Sequence, residues 1–149
     1  MKHLEGKVIA LASDHAGFDK KQVIIQHLKQ NGILFKDFGC FSSESCDYPE
    51  FAHAIARAID RGEYETGITC CGSGQGISIT ANKYQNVRSA LCWNAEIGAL
   101  AKQHNDANIC ALPGRFVSDK EAIDIVDAYL NAEFEGGRHA RRIAKIPRK

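Results

Sequence analysis

The sequence contains no apolar run approaching the ~20 residues that a membrane-spanning helix needs. Its first residues, MKHLEGK, are polar and lead directly into a strand-like segment. We therefore predict no secretory signal, and we expect a cytoplasmic protein with no membrane partner. The formal net charge of +1 gives no general case for nucleic acid as a partner. With 149 residues, of which 44% are hydrophobic and 25% are charged, the composition predicts one globular domain over residues 1–149.

The six cysteines lack the spacing of a metal-binding or disulfide-rich protein. They stand at positions 40, 46, 70, 71, 92 and 110, with no C-x-x-C pair and no paired histidine motif. In a chain without a secretory signal, free thiols are more typical than disulfide bridges or zinc ligands. The sequence therefore predicts no metal site.

Common cofactor and nucleophile motifs are absent as well. The first strand-like segment is not followed by the G-x-G-x-x-G of dinucleotide-binding folds, and no phosphate-loop GKS or GKT occurs. Ser73 is not the centre of a G-x-S-x-G elbow, and no arginine follows Cys71 closely enough to hold a phosphate beside the thiol. These absences predict a protein that works without a cofactor.

Five strand-like segments alternate with helix-like segments along the chain. Strands are predicted at residues 7–13, 33–38, 67–70, 86–92 and 109–112. Helices are predicted at residues 18–30, 47–62, from near residue 77, at 94–103, and from the capping box at 118–121. This alternation predicts a doubly wound, Rossmann-like α/β fold. Its five-stranded parallel sheet would have the order 2-1-3-4-5, with helices on both faces.

Polar turns follow the first and third predicted strands, at residues 13–15 and 71–76. In the predicted order these two strands flank the switch point, where ligands bind at the carboxyl ends of the strands. Three glycines in the second turn leave its amides free to converge on an anion, and the helix that starts beyond them adds partial positive charge. The pattern favours an anion site that holds the Cys71 thiol and the Ser73 hydroxyl. The alternative is a tight strand-to-helix turn with incidental cysteines.

Other titratable residues allow two interpretations each. Asp14 and His15 form an acid–base pair in the first turn, or Asp14 caps the next helix while His15 lies at the surface. His104, with Asn105 beside it, follows a helix, where a lone histidine more often serves as a favourable charge at the helix end. Tyr48 is either a pocket residue or a packing aromatic.

The last segment, residues 136–149, carries six of the nineteen Lys and Arg residues and no acidic residue. Arg138 and Arg142 are four positions apart and share a helical face, so together they could clamp a phosphate. The alternative is a solvated basic tail. A nucleic-acid role is not favoured, because the basic patch is short and has no interleaved aromatic residues.

Six short pieces of the sequence, in order, carry a resemblance to a known family. They are Ser13-Asp14-His15-Ala16-Gly17, Asp47-Tyr48-Pro49, Cys71-Gly72-Ser73-Gly74-Gln75-Gly76-Ile77-Ser78, Ala81-Asn82-Lys83, His104-Asn105-Asp106-Ala107-Asn108 and Glu135-Gly136-Gly137-Arg138-His139. Over nearly its whole length the chain resembles type B ribose-5-phosphate isomerases and the related galactose-6-phosphate isomerase subunits. The resemblance implies an aldose–ketose isomerase of the pentose phosphate pathway, which interconverts ribose 5-phosphate and ribulose 5-phosphate through a cis-enediolate.

The resemblance also implies a role for each site residue. Cys71 would be the base that moves a proton between carbons 1 and 2, Ser73 would act near the reacting oxygens, and Asp14 and His104 would assist ring opening. The implied substrate-binding residues are Tyr48 in the sugar pocket, His15, Arg115, Arg138 and Arg142 at the phosphate, and Asn105, Gly72, Gly74 and Gly76 at the enediolate. Cys70 is expected to be buried, because consecutive strand residues point to opposite faces.

Sites in this family lie between two subunits. The resemblance therefore implies a homodimer or a dimer of dimers, with the C-terminal helix packing on the partner subunit. Two alternatives stay open at this point. One is an isomerase of a six-carbon sugar phosphate, such as galactose 6-phosphate or allose 6-phosphate, and the other is a non-catalytic sugar-phosphate-binding protein.

Overall fold

The computed structural model describes residues 2–148, which form one parallel sheet covered by helices. The strands are β1 (Val8–Ser13), β2 (Leu34–Asp37), β3 (Gly67–Cys71), β4 (Ser89–Leu91) and β5 (Ile109–Pro113). The helices are α1 (Phe18–Gln30), α2 (Tyr48–Asp60), α3 (Gln75–Ala81), α4 (Ala95–Asn105), α5 (Asp119–Asn131) and α6 (Arg138–Ile143), and a 3₁₀ turn spans Lys2–Leu4. Within residues 2–148, none of the helices has the length and apolar character required to span a bilayer.

The five-stranded parallel sheet is confirmed, but its predicted order is wrong at one end. The order is β2-β1-β3-β5-β4, so β5 lies beside β3 and β4 forms the edge. All five residues of β5 are buried, whereas β4 has only three residues, each partly buried. A central strand of a parallel sheet is covered on both faces and must be apolar along its length, which suits β5 and not β4.

Alternate residues of the strands build two cores, one on each face of the sheet. Ile9 and Leu11 of β1 pack in a cluster with residues of α1, α4 and α5, while Ala10 and Ala12 pack with residues of α2 and α3. The prediction of helices on both faces is therefore confirmed. Because side chains alternate along a strand, consecutive residues of β1 face opposite sides of the sheet and pack against different helices.

A fully buried lysine, which the sequence analysis did not single out, fixes the loop beside β1. Lys21 of α1 is 1% exposed, and its Nζ donates to Oδ1 of Asp37 at 2.7 Å and to the carbonyl of Cys40. The same loop continues alongside Ser13, whose amide donates to the Gly39 carbonyl at 2.6 Å. Lys21 thus helps to set the place where the chain leaves β1 and the polar turn begins.

Some element boundaries differ from those predicted. Helix α4 extends to Asn105, so His104 and Asn105 lie in its last turn and not in the polar turn after it. The predicted capping box is present, since the Ser118 side chain accepts from the Glu121 amide and the Glu121 side chain accepts from the Ser118 amide. Helix α6 lies against α4 of its own chain, and its packing on a partner subunit stays a prediction.

Candidate active site

Three turns meet at the carboxyl edge of the central strands. The amide of Gly114, after β5, donates to the Cys71 carbonyl at 2.8 Å, and the amide of Arg115 donates to the Gly72 carbonyl at 3.0 Å. On the other side of β3, Gly17 packs so closely that a Cβ there would lie 2.1 Å from the carbonyl oxygen of Cys70. The turns after β1, β3 and β5 therefore form one continuous surface.

Cys70 and Cys71 point to opposite faces of the sheet. Cys70 is 1% exposed in the core beneath α1 and α5, and a Cβ on Gly114 would lie 2.8 Å from its Sγ. Burial, together with the nearby Cys71 and Asp14, raises the pKa of the Cys70 thiol to about 12. Cys71 packs in a separate small cluster on the side of α2 and α3. The expected burial of Cys70 is confirmed.

The glycine turn after Cys71 has a backbone that depends on its glycines. Gly74 has φ of 75°, and a Cβ there would lie 3.0 Å from the Leu112 carbonyl oxygen. Ser73 is exposed, and its Oγ accepts from the amide of Gln75 at 3.4 Å, so the hydroxyl lies beside the first turn of α3. A Cβ on Gly76 would lie 2.6 Å from the ring of Tyr48. The glycines at 74 and 76 thus allow close approach by β5 and by α2.

Arg115 brings positive charge to this turn. Its Nη1 and Cδ each lie 3.4 Å from the position of a Cβ on Gly72, while the Cβ of Ala16 lies 3.5 Å from that position. The guanidinium therefore lies over the backbone of the glycine turn. Since guanidinium groups match the geometry of phosphate oxygens, the arrangement suits an anion held at the turn.

Asp14 and His15 are held by different parts of the chain. The buried carboxylate of Asp14 accepts from the Gly17 amide at 2.9 Å. Gly17 is the N-cap of α1, so this bond closes the turn before the helix and is not the side-chain cap weighed as the alternative from the sequence. The Nδ1 of His15 accepts from the Cys46 amide at 3.2 Å, so the loop after β2 reaches over to this turn. Burial raises the pKa of the Cys46 thiol, which lies 3.9 Å from the same Nδ1.

The remaining predicted site residues lie at the opposite edge of the sheet. Helix α4 runs antiparallel to the strands, so its last turn, with His104 and Asn105, lies where β5 begins. The start of β3 is at the same edge, because the Gly67 amide donates to the Asn108 carbonyl at 2.8 Å. Helix α6 places Arg138 and Arg142 near the same end of α4. A five-residue strand spans roughly 13–17 Å, which separates the two edges.

The predicted residues therefore fall into two groups within one chain. The first group lies at the carboxyl edge and comprises Asp14, His15, Tyr48, Cys71, Gly72, Ser73, Gly74, Gly76 and Arg115. The second group lies by the end of α4 and comprises His104, Asn105, Arg138 and Arg142.

Two residues with no role predicted from the sequence join the second group. The imidazole rings of His104 and His139 stack, with centroids 4.3 Å apart and planes 10° apart. Oε1 of Glu135 lies 3.7 Å from Nε2 of His104 and 3.6 Å from Nε2 of His139. Burial, together with the neighbouring His104 and Arg138, lowers the pKa of His139. The four-residue spacing of Glu135 and His139 is the one sequence signal that could have suggested the contact.

Residues 9–146 match the model of the Ribose/Galactose Isomerase family. The chain belongs to this family. Ribose-5-phosphate isomerase B of Escherichia coli strain K12 is 44% identical over 140 residues, which cover 94% of each chain. The family resemblance read from the six sequence pieces is thus confirmed, and the chain is an isomerase.

Solved structures of this isomerase family share the fold. The structure of a ribose 5-phosphate isomerase from Thermotoga maritima superposes with a TM-score of 0.93 at 45% identity, covering 95% of this chain and 98% of that one. The ribose-5-phosphate isomerase B of Mycoplasma genitalium, determined with bound ribulose-5-phosphate, has a TM-score of 0.90 at 43% identity, covering 95% and 94%.

Proposed function

We propose that the chain interconverts ribose 5-phosphate and ribulose 5-phosphate. Relatives of nearly the same length carry the name of this activity, and one related structure holds the product sugar phosphate. The observation that carries the proposal is the position of Cys71 at the end of β3, next to a glycine turn covered by the guanidinium of Arg115. This arrangement offers a base and an anion site within one turn.

Cys71 is the base in this proposal. Isomerisation removes a proton from the carbon next to a carbonyl and returns it to the neighbouring carbon, so one group must accept and then donate the proton. Cys70 is unsuited to the role, because it lies in the core on the other face and its pKa is raised to about 12. A positioned base of this kind contributes roughly 10²–10⁴-fold to the rate.

The amides of the glycine turn stabilise the enediolate in this proposal. Negative charge builds on the substrate oxygens as the proton leaves carbon, and preorganised N–H donors are each worth about 3 kcal/mol at such a charge. Gly72 and Gly74 leave the turn free of side chains, and the φ of 75° at Gly74 turns the backbone into α3. The Ser73 hydroxyl is exposed beside the same turn.

The phosphate is held by His15 and Arg115 on one side and by Arg138 and Arg142 on the other. Within one chain these pairs lie at opposite edges of the sheet. We infer that a second copy of the chain supplies the second group of residues, at the end of α4 and in α6. The site then lies between two subunits of a homodimer or a dimer of dimers. His104, which assists ring opening, and Asn105 then also come from the second copy.

Exposed apolar residues around the carboxyl edge support this assembly. Phe41 is 73% exposed after β2, Trp93 is 54% exposed after β4, and Phe116 is 74% exposed after β5. Large apolar side chains grouped at one end of a domain are typical of a surface that another protein covers. Here the proposed occupant is the second copy.

A coupled assay with ribose 5-phosphate tests the function. We expect turnover by the unmodified chain and its loss, by at least about 10²-fold, in Cys71→Ala, since this variant removes the base. Cys70→Ala is the matched control, because it removes a neighbouring thiol from the opposite face and should retain turnover. Full activity in Cys71→Ala would refute the assignment of the base.

An isomerase of a six-carbon sugar phosphate is the second candidate, because the matched family model covers galactose as well as ribose isomerases. The curated relatives named as ribose-5-phosphate isomerases favour the five-carbon substrate. Rates measured on ribose 5-phosphate, allose 6-phosphate and galactose 6-phosphate with the same preparation decide between them. A higher kcat/KM on a six-carbon substrate would replace the first candidate with the second.

A further inference from the structure

The guanidinium of Arg88 holds the end of α4. Arg88 lies immediately before β4, and its Nε donates to the Asn105 carbonyl at 2.9 Å while its Nη2 donates to the Asp106 carbonyl at 2.9 Å. These carbonyls lie where the helix ends, and the helix dipole favours a positive charge at that end. One side chain therefore fixes two consecutive peptide groups directly after His104.

The backbone on the other side of His104 is held as well. The Glu135 amide donates to the Gln103 carbonyl at 3.0 Å. Bonds from two separate parts of the chain therefore bracket His104. With its backbone held on both sides, the imidazole has a defined place against the His139 ring, and the two ring centroids are 4.3 Å apart.

Arg88 itself is fixed by Asn108, a residue of the polar turn after α4. The Arg88 amide donates to Oδ1 of Asn108 at 2.7 Å, and the Arg88 carbonyl accepts from the Asn108 amide at 3.0 Å. Nδ2 of Asn108 donates to the Asn86 carbonyl at 2.7 Å, so these bonds tie the start of β4 to the start of β5. The guanidinium therefore extends from a backbone that the sheet holds in place, which a group that positions another residue requires.

The conformation of Asp106 depends on the same contacts. Its φ of 43° lies in the left-handed region, which residues other than glycine seldom adopt. Its carboxylate pairs with Lys102, one turn back in α4, and lies 3.7 Å from Nη2 of Arg88. Both cations stabilise the turn that ends the helix, and Arg88 differs from Lys102 in also donating to the backbone carbonyls.

We propose that Arg88 is a positioning residue for the isomerase reaction, which sets where His104 and Asn105 meet the substrate. This role rests on the proposed function, in which the end of α4 reaches the site of a second copy, His104 assists ring opening and Asn105 stabilises the enediolate. Arg88 acts through the backbone of α4 and not on the substrate. A misplacement of about 1 Å at a reacting group can cost roughly 10²-fold in rate, so loss of the two bonds should slow turnover.

Steady-state kinetics of three variants test this role. For Arg88→Gln we expect kcat on ribose 5-phosphate to fall by at least about tenfold and KM to change by less than about threefold, because other arginines hold the phosphate. Arg88→Lys keeps the charge but lacks the fork that reaches two carbonyls, so its kcat should lie between those of Arg88→Gln and the unmodified chain. Lys102→Met is the matched control, because it removes the other cation at Asp106 and should leave kcat unchanged.

The ring protons of His104 give a readout that needs no turnover. In the unmodified chain the stacked rings of His104 and His139 shift each other's proton resonances. Arg88→Gln should move the His104 resonances toward those seen in His139→Ala, where the stacked ring is missing. The ring resonances of His53, which bonds to Tyr84 at 2.7 Å elsewhere in the chain, should not move.

The kinetic and spectroscopic changes must occur together. An unchanged kcat or unchanged His104 resonances in Arg88→Gln would overturn the positioning role, as would a fall in kcat of the same size in Lys102→Met. Urea unfolding shows whether each variant is folded in the assay. If Arg88→Gln does not fold, Arg88→Lys takes its place, and an unchanged kcat in that variant overturns the role.

Failure of the proposed function would look different. An unmodified chain that does not isomerise ribose 5-phosphate would refute that function and, with it, the catalytic importance of Arg88. A shift of the His104 resonances in Arg88→Gln would then still show that Arg88 holds the end of α4.

Discussion

The ring of Tyr48, in the first turn of α2, packs directly against the backbone of Gly76 in α3. A Cβ on residue 76 would lie 2.6 Å from both Cε1 and Cζ of the ring, closer than real Cβ contacts. A glycine inside a helix costs roughly 0.8–1.0 kcal/mol relative to alanine. Its presence here is explained by the aromatic ring, which needs the space that a methyl group would fill.

Gly76→Ala should therefore push the Tyr48 ring away from the glycine turn. We expect a clear loss of kcat/KM with a small change in stability, because the gain in helix propensity offsets the strain. In a Tyr48→Ala background the clash is absent, and the same Gly76→Ala substitution should stabilise the chain by about 1 kcal/mol. Urea unfolding of the four proteins gives the coupling energy. Equal effects of Gly76→Ala in both backgrounds would contradict the steric explanation.

Gly17→Ala should destabilise the whole carboxyl edge. The added Cβ would lie 2.1 Å from the Cys70 carbonyl oxygen, and this contact is to backbone, which cannot rotate away. Forcing the turn after β1 off β3 would also break the contact of the Gly17 amide with Asp14. We expect a loss of about 3 kcal/mol or more in the free energy of unfolding, at the upper end of single substitutions.

Gly32→Ala is the matched control for Gly17→Ala. No atom lies within 4 Å of the added Cβ, but Gly32 has φ of 67°, which costs an alanine roughly 1–2 kcal/mol. The Gly17 variant should therefore be clearly the less stable of the two in urea. If the Gly32 variant is instead the less stable of the two, the positive φ at Gly32 costs more free energy of unfolding than the close approach of Gly17 to β3.

Lys21→Met should destabilise the chain by leaving its partner without a counterion. Lys21 is 1% exposed and pairs with Asp37 at 2.7 Å, and the same ammonium donates to the Cys40 carbonyl. Removing one member of a buried ion pair typically costs about 3–5 kcal/mol. Because Asp37 is partly exposed, we expect the lower end of that range in chemical denaturation. The double variant Lys21→Met, Asp37→Leu should recover part of the loss, and an unchanged deficit would exclude the charge as its cause.

The sequence pattern predicted much of the fold, because the spacing of apolar residues in each segment indicates which of its faces are buried. The bounds predicted for α1, residues 18–30, match the structure, and the parallel sheet follows from the alternation of strands and helices. The order of β4 and β5 could not be read, since both follow β3 and both are short. It depends on which of them is apolar enough to be covered on both faces.

The candidate site was predictable only in its parts. The turns at Asp14 and Cys71 lie together because β1 and β3 are neighbours, a relation that the parallel pattern implies. The separation of His104 from Cys71 depends instead on the direction of α4 and on its extension to residue 105. Lys21 has no sequence pattern that predicts its role, because the role arises from contacts with a distant segment, whereas the four-residue spacing of Glu135 and His139 was the one signal of their contact.

The lowered pKa of His139 predicts that the protein gains stability as the pH rises through the weakly acidic range. Burial, His104 and Arg138 all disfavour its protonated form, so its folded-state pKa lies below the ordinary value of 6.5. Between those two pKa values the unfolded chain binds more protons than the folded chain, and stability therefore rises with pH there and levels off above about 6.5. His139→Gln should flatten this part of the plot of stability against pH.

Glu135→Gln should lower the pKa of His139 further, because the Glu135 carboxylate raises that pKa. Titration of the His139 ring protons by NMR checks both shifts, and a midpoint at or above 6.5 in the unmodified chain would contradict the burial and charge argument.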